Sequence, residues 1–157
     1  MAEKQIRNAT VLAILPARED RLSLSLAFAG SEWILVFTGS LGEGLAVLQS
    51  ILVGAVLCDI RLPGGRTWRD LINEMRKMEV PPPLIAVDRL ADDCAWIEAL
   101  NLGVYDLVAK PFDSREVLRT VTTACGRQDT RSRLVRKWKQ PEARDSKETA
   151  RAMGASL

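Results

Sequence analysis

Val53-Gly-Ala-Val-Leu-Cys58-Asp59-Ile-Arg61-Leu-Pro63-Gly64-Gly65 is the stretch on which the fold turns. It begins with a short run of small and branched apolar residues that ends on a carboxylate. A run of this length bounded by turn residues is a strand buried on both faces. Leu62-Pro63-Gly64-Gly65 supplies the turn, because proline presets φ and glycine admits the left-handed region. From about Trp68 to Met78 the apolar residues Leu71, Ile72 and Met75 recur at helical spacing. The whole is one strand-turn-helix unit with an acid at the carboxyl end of its strand.

Working outward, the unit recurs on both sides. Val11 to Leu15 is a strand, followed by a helix over Asp20 to Ala29 whose apolar stripe is taken as Leu22, Leu26 and Ala29. Trp33 to Thr38 is a second strand, and Ser40-x-x-Glu43 is a capping box that opens a helix over Leu41, Leu45 and Leu48. Pro81-Pro82-Pro83 cannot continue a helix and delivers the chain into the strand Leu84 to Val87. Asp92 or Asp93 caps the next helix, which stops at Gly103; Asp106 to Ala109 is the fifth strand, closed by Lys110-Pro111. Asp113-x-x-Glu116 then caps a helix over Val117, Leu118, Val121 and Ala124. Five strand-helix units with such apolar strands specify an α/β domain, its parallel sheet covered on both faces and joined by right-handed crossovers.

Residues 1–126 are assigned to this domain. Residues 127–157 are expected to be a basic, mobile tail: Leu134, Val135 and Trp138 are too few to build a core, although Arg131 to Lys139 could prolong the last helix. The tail from Gly126 on holds nine basic and four acidic residues, which leaves the rest of the chain mildly acidic. That balance makes nucleic acid a poor partner for the body of the protein. Absence of histidine excludes Ser/His/Asp and Cys/His triads and histidine metal sites. Cys58, Cys94 and Cys125 are odd in number and widely spaced, which suits neither a disulfide framework nor a metal knuckle. With no signal peptide pattern in Met1 to Thr10 and no apolar run long enough to span a bilayer, a cytoplasmic location and no membrane contact are expected. No G-x-G-x-x-G or G-x-x-x-x-G-K-[ST] motif supports nucleotide binding. Trp33, Trp68 and Trp96 are read as packing residues.

In an open parallel sheet, ligands bind outside the carboxyl ends of the strands. The residues that end strands three, four and five are Asp59, Asp88 and Lys110. Neighbouring strands lie about 4.8 Å apart, so a carboxylate and an ammonium can meet across that edge.

Cys58-Asp59-Ile-Arg-Leu-Pro63-Gly64 and Gly103-Val-Tyr-Asp-Leu-Val-Ala-Lys110-Pro111-Phe112 resemble the third-strand and fifth-strand signatures of response regulator receiver domains. The resemblance covers about residues 9–125. It implies a flavodoxin-like, doubly wound five-stranded parallel sheet of order 2-1-3-4-5 with five helices, and a signalling rather than enzymatic role in a two-component phosphorelay. It further implies Asp59 as phosphoacceptor, Lys110 as phosphoryl contact, and Asp88 and Leu107 at the hydroxyl and aromatic switch positions. Mg²⁺ would be held by Asp59, the Arg61 backbone carbonyl and an acidic pair at the end of strand one. That pair is missing: Leu15-Pro16 stands there, a shifted register gives Ala13-Ile14, and Glu19-Asp20 falls at a helix start, where acids serve the helix dipole, the alternative being that Glu19 or Asp20 folds back over the site. Weak or absent Mg²⁺ binding is therefore expected, with Asp88 paired to Lys110 beside Asp59 or, as the alternative, helping to ligate the cation in place of the missing acids. With no output domain in these residues, action through protein partners is expected: a sensor kinase, a downstream regulator or a second copy. The alternative is a phosphorylation-independent pseudo-receiver serving as an interaction or dimerisation module.

Overall fold

The structure, a computed structural model, describes residues 10–89 and 93–139. Its elements are β1 (Thr10–Ile14), α1 (Arg18–Ala27), β2 (Ile34–Thr38), α2 (Leu41–Ser50), β3 (Ala55–Asp59), a 3-10 turn at Pro63–Gly65, α3 (Trp68–Met75), β4 (Leu84–Asp88), α4 (Asp93–Asn101), β5 (Asp106–Ala109) and α5 (Ser114–Lys139). All four strand pairings are parallel, in the order β2-β1-β3-β4-β5. The expected doubly wound sheet with five helices is what forms.

Strand alternation divides the core in two. Leu12, Ile14, Val56, Cys58, Ala86 and Leu107 pack with Leu48, Leu71, Ile72 and Met75 on the α2–α4 side. Val11, Ala13, Leu57, Ile85, Val87 and Val108 pack with Leu24, Ala27, Val117 and Val121 on the α1/α5 side. Each fully buried aliphatic side chain contributes roughly 1.5–3 kcal/mol to this sandwich.

Local signals start the helices. Ser40 Oγ accepts from Glu43 N–H at 3.2 Å, while Glu43 reaches back to Gly39 N–H, one residue before the cap. Thr67 and Asp70 form a reciprocal capping box on α3. Asp113 accepts from Arg115 N–H at the start of α5. The side chains named as the α4 cap, Asp92 and Asp93, lie outside the described ones.

One helix differs from expectation. In α1, Leu22 and Leu26 are 57% and 78% exposed, whereas Asp20, Leu24 and Ala27 face the sheet. The segment Leu22-Ser-Leu-Ser-Leu26 alternates with period two, so leucines fall on opposite sides of the helix. Leu24 with Ala27 and Phe28 is the stripe that docks. The backbone of α5 stays helical through Lys139, the extension over Arg131 to Lys139 that the sequence allows. Arg, Lys, Gln and Leu are good helix formers, no proline falls between Pro111 and Pro141, and a single Gly126 costs only about 1 kcal/mol. Residues 140–157 lie outside the described residues.

Candidate functional site: a buried lysine between two carboxylates

Strand parity decides who meets at the carboxyl edge of the sheet. Asp59 is two residues beyond Leu57 and Lys110 two beyond Val108, both on the α1/α5 side, so both point toward α1. Asp88 is two beyond Ala86 and takes the α2–α4 side. α1 starts at Arg18, which sets Asp20 in its first turn, over the strand ends.

The result is a three-residue ion cluster. Lys110 Nζ donates to Asp59 Oδ2 at 2.7 Å and to Asp20 Oδ2 at 2.8 Å, with the three side chains 10, 13 and 11% exposed. Asp59 Oδ1 accepts from the Arg61 backbone N–H at 3.1 Å. Burial pulls the Lys110 ammonium down, but the hydrogen bonds to Asp20 and Asp59 outweigh it, and the group sits above the usual lysine range. Beside Asp59, burial and then the aspartate charge push the Cys58 thiol far above its ordinary range, so it stays protonated. Burial raises Cys125 to about 12.

The cluster corrects one expectation: among the described residues Lys110 forms its ion pairs with Asp59 and Asp20, not with Asp88. The Lys110 backbone N–H instead bonds the Asp88 carbonyl at 3.0 Å. The Asp88 side chain lines a cleft of about 260 Å³ with Leu107, Trp68, Arg69 and Glu98. Arg69 and Glu98 form a salt bridge between α3 and α4, and the Arg69 guanidinium stands 5.5 Å from the Trp68 ring centre. Leu107 is buried here. Period-two counting from Leu57, Ala86 and Val108 separates Asp88 from the other two in the sequence; of the two helix-start acids that could fold back over the site, Asp20 is the one that reaches Lys110.

The same face of α1 grips the turn after Lys110. Phe112 N–H donates to Ser23 Oγ at 3.3 Å, and Ser114 Oγ donates to the Ala27 carbonyl at 2.7 Å. Asp20, Ser23 and Ala27 recur at spacings of three and four, which is one side of a helix. The carboxyl end of β1 is covered by a cation: Arg21 Nε donates to the Leu15 carbonyl at 2.7 Å. No three Asp, Glu, His or Cys residues gather into a metal-binding group among the described residues.

A parallel sheet of this order with an Asp–Lys pair at its carboxyl edge is the architecture of receiver domains. The response regulator receiver domain family matches residues 21–122, and this chain belongs to it. Among curated proteins it is similar to response regulator SaeR of Staphylococcus epidermidis, 30% identical over 112 residues, which are 71% of this chain and 48% of that one. Nodulation protein W of Bradyrhizobium diazoefficiens is 28% identical over 116 residues, 74% of this chain and 51% of its own. The chain thus spans about half the length of the curated relatives it matches. Among solved structures, the signal receiver domain of an HD domain-containing protein from Pseudomonas fluorescens superposes with a TM-score of 0.72 at 20% identity, covering 81% of this chain and 93% of that one. The family match begins one residue after Asp20 and leaves β1 outside it.

Proposed function

We propose that this chain is a signal-transduction receiver module of a two-component phosphorelay, with Asp59 in the phosphoacceptor position and Lys110 facing the phosphoryl group. The 2.7 Å contact between Lys110 Nζ and Asp59 Oδ2 carries this reading. Receiver domains generally use Mg²⁺ beside the phosphoacceptor. The donor set here does not fit it well: a hard dication prefers several oxygen ligands. Leu15-Pro16 offers no carboxylate at the end of β1, and Lys110 already bridges Asp20 and Asp59. The pocket therefore takes up Mg²⁺ and phosphoryl groups poorly, and the module works through contacts with a kinase, a downstream regulator or a second copy. The same ion cluster favours a second reading, a phosphorylation-independent pseudo-receiver that keeps the fold as an interaction or dimerisation surface.

Intact mass after incubation with acetyl phosphate and Mg²⁺ separates the two. Slow, substoichiometric uptake of one phosphoryl group, abolished by Asp59→Asn, supports the first reading. No uptake supports the second. Rapid stoichiometric uptake that depends on Mg²⁺ overturns the degenerate pocket, and uptake that survives in Asp59→Asn overturns the assignment of Asp59.

A further inference from the structure

We propose that Asp20 is a built-in latch: from the first turn of α1 it holds the Lys110 ammonium between itself and Asp59, and so keeps the pocket closed to phosphoryl anions and to divalent cations. The inference rests on the reading of Asp59 as phosphoacceptor and concerns the regulation of that site. Asp20 acts through Lys110, as a positioning residue.

Three observations carry it. Lys110 has three N–H donors, and two are committed to Asp20 and Asp59. The two carboxylate oxygens share one small ammonium, which puts them within about 5.5 Å of each other, the reach of two hydrogen bonds. An incoming phosphodonor thus meets two negative groups and one positive, in a site where burial weakens screening. A dication meets the same pair already neutralised in part, with the ammonium close enough to repel it. Finally, the latch is not a lone contact. Ser23 and Ala27, on the same side of α1, hold Phe112 and Ser114, so the turn that follows Lys110 is pinned at three points along one helix face.

Removing one charge should open the pocket. Asp20→Asn is nearly isosteric and leaves Lys110 a neutral acceptor, so the fold and the Ser23 and Ala27 contacts persist. In phosphoryl transfer, an Asp59 carboxylate oxygen attacks the phosphorus of acetyl phosphate, the bond from phosphorus to the acetyl oxygen breaks, and acetate leaves with the electron pair. No other reactant is needed.

The test uses the full chain and its Asp20→Asn, Asp59→Asn and doubly substituted forms. Labelling by acetyl phosphate is followed by intact mass, Mg²⁺ affinity by calorimetry, and hydrogen exchange of the Lys110 ammonium by lysine-selective NMR. The latch predicts faster Lys110 exchange in Asp20→Asn, unweakened Mg²⁺ binding, and labelling at Asp59 faster by on the order of tenfold or more, as expected when a like charge about 5 Å away is removed. Unchanged Lys110 exchange, unchanged or slower labelling beside a labelled parent, or a loss of Mg²⁺ affinity that would make Asp20 a metal ligand, each overturns the latch. Faster Lys110 exchange with no phosphoryl uptake in any form, or uptake that survives Asp59→Asn, overturns the reading of Asp59 instead.

Discussion

Lys110 is the residue on which the site's stability depends. Its ammonium is the partner of two carboxylates at a depth where an unpaired charge is expensive. Lys110→Met should strand both, and the loss of a partner to buried charges is expected to cost about 3–5 kcal/mol at neutral pH, read as a lower urea midpoint. Alkaline titration checks the same group in the other direction. A lysine whose folded value lies above its unfolded value of about 10.4 stabilises the fold fully below that value and stops doing so as pH rises through the folded value. The stability difference between parent and Lys110→Met should stay constant from pH 7 to about 10 and shrink above it. A difference that already falls between pH 7 and 9 would show that Lys110 is not held by the two aspartates.

Among the elements, α1 is the one whose orientation completes the ion cluster. Its docking stripe of Leu24, Ala27 and Phe28 turns Asp20 inward and leaves Leu22 and Leu26 in water. Leu24→Ala should therefore cost about 2–5 kcal/mol through a lost contact and a cavity. Leu26→Ala, on the exposed side, should change stability by less than about 0.5 kcal/mol. Urea unfolding of the pair decides the helix phase, since equal losses or a reversed order would place Leu22 and Leu26 in the core. The phase was not legible in the sequence because the alternating Leu-Ser segment offers two apolar stripes of similar strength. By contrast α3 carries one dominant stripe, and its inward residues Leu71, Ile72 and Met75 were read directly.

At the scale of the molecule, the buried apolar side chains described all lie between Val11 and Cys125, on the two faces of one sheet. α5 continues for 14 residues past Cys125, about 21 Å of helix at 1.5 Å per residue. A chain ending after Gly126 should accordingly retain its cooperative thermal unfolding, with a Tm within a few degrees of the full chain; a larger drop would mean that residues 127–157 pack on the core. No described helix is long and apolar enough to cross a membrane.

The sequence by itself determined the five strand-helix units, their order and the acid and ammonium at the ends of the third and fifth strands. Those features are local: an apolar run of five residues, a proline or glycine turn and a capping side chain each act within a few positions of themselves. Only the tertiary structure decided which second carboxylate Lys110 would hold. Asp88 is nearer to Lys110 in sequence, and Asp20 is 90 residues away. Strand parity turns Asp88 to the opposite face of the sheet, while the docking of α1 turns Asp20 onto the lysine. That choice comes from burial of one helix face against distant strands, an energy that exists only once the sheet has formed.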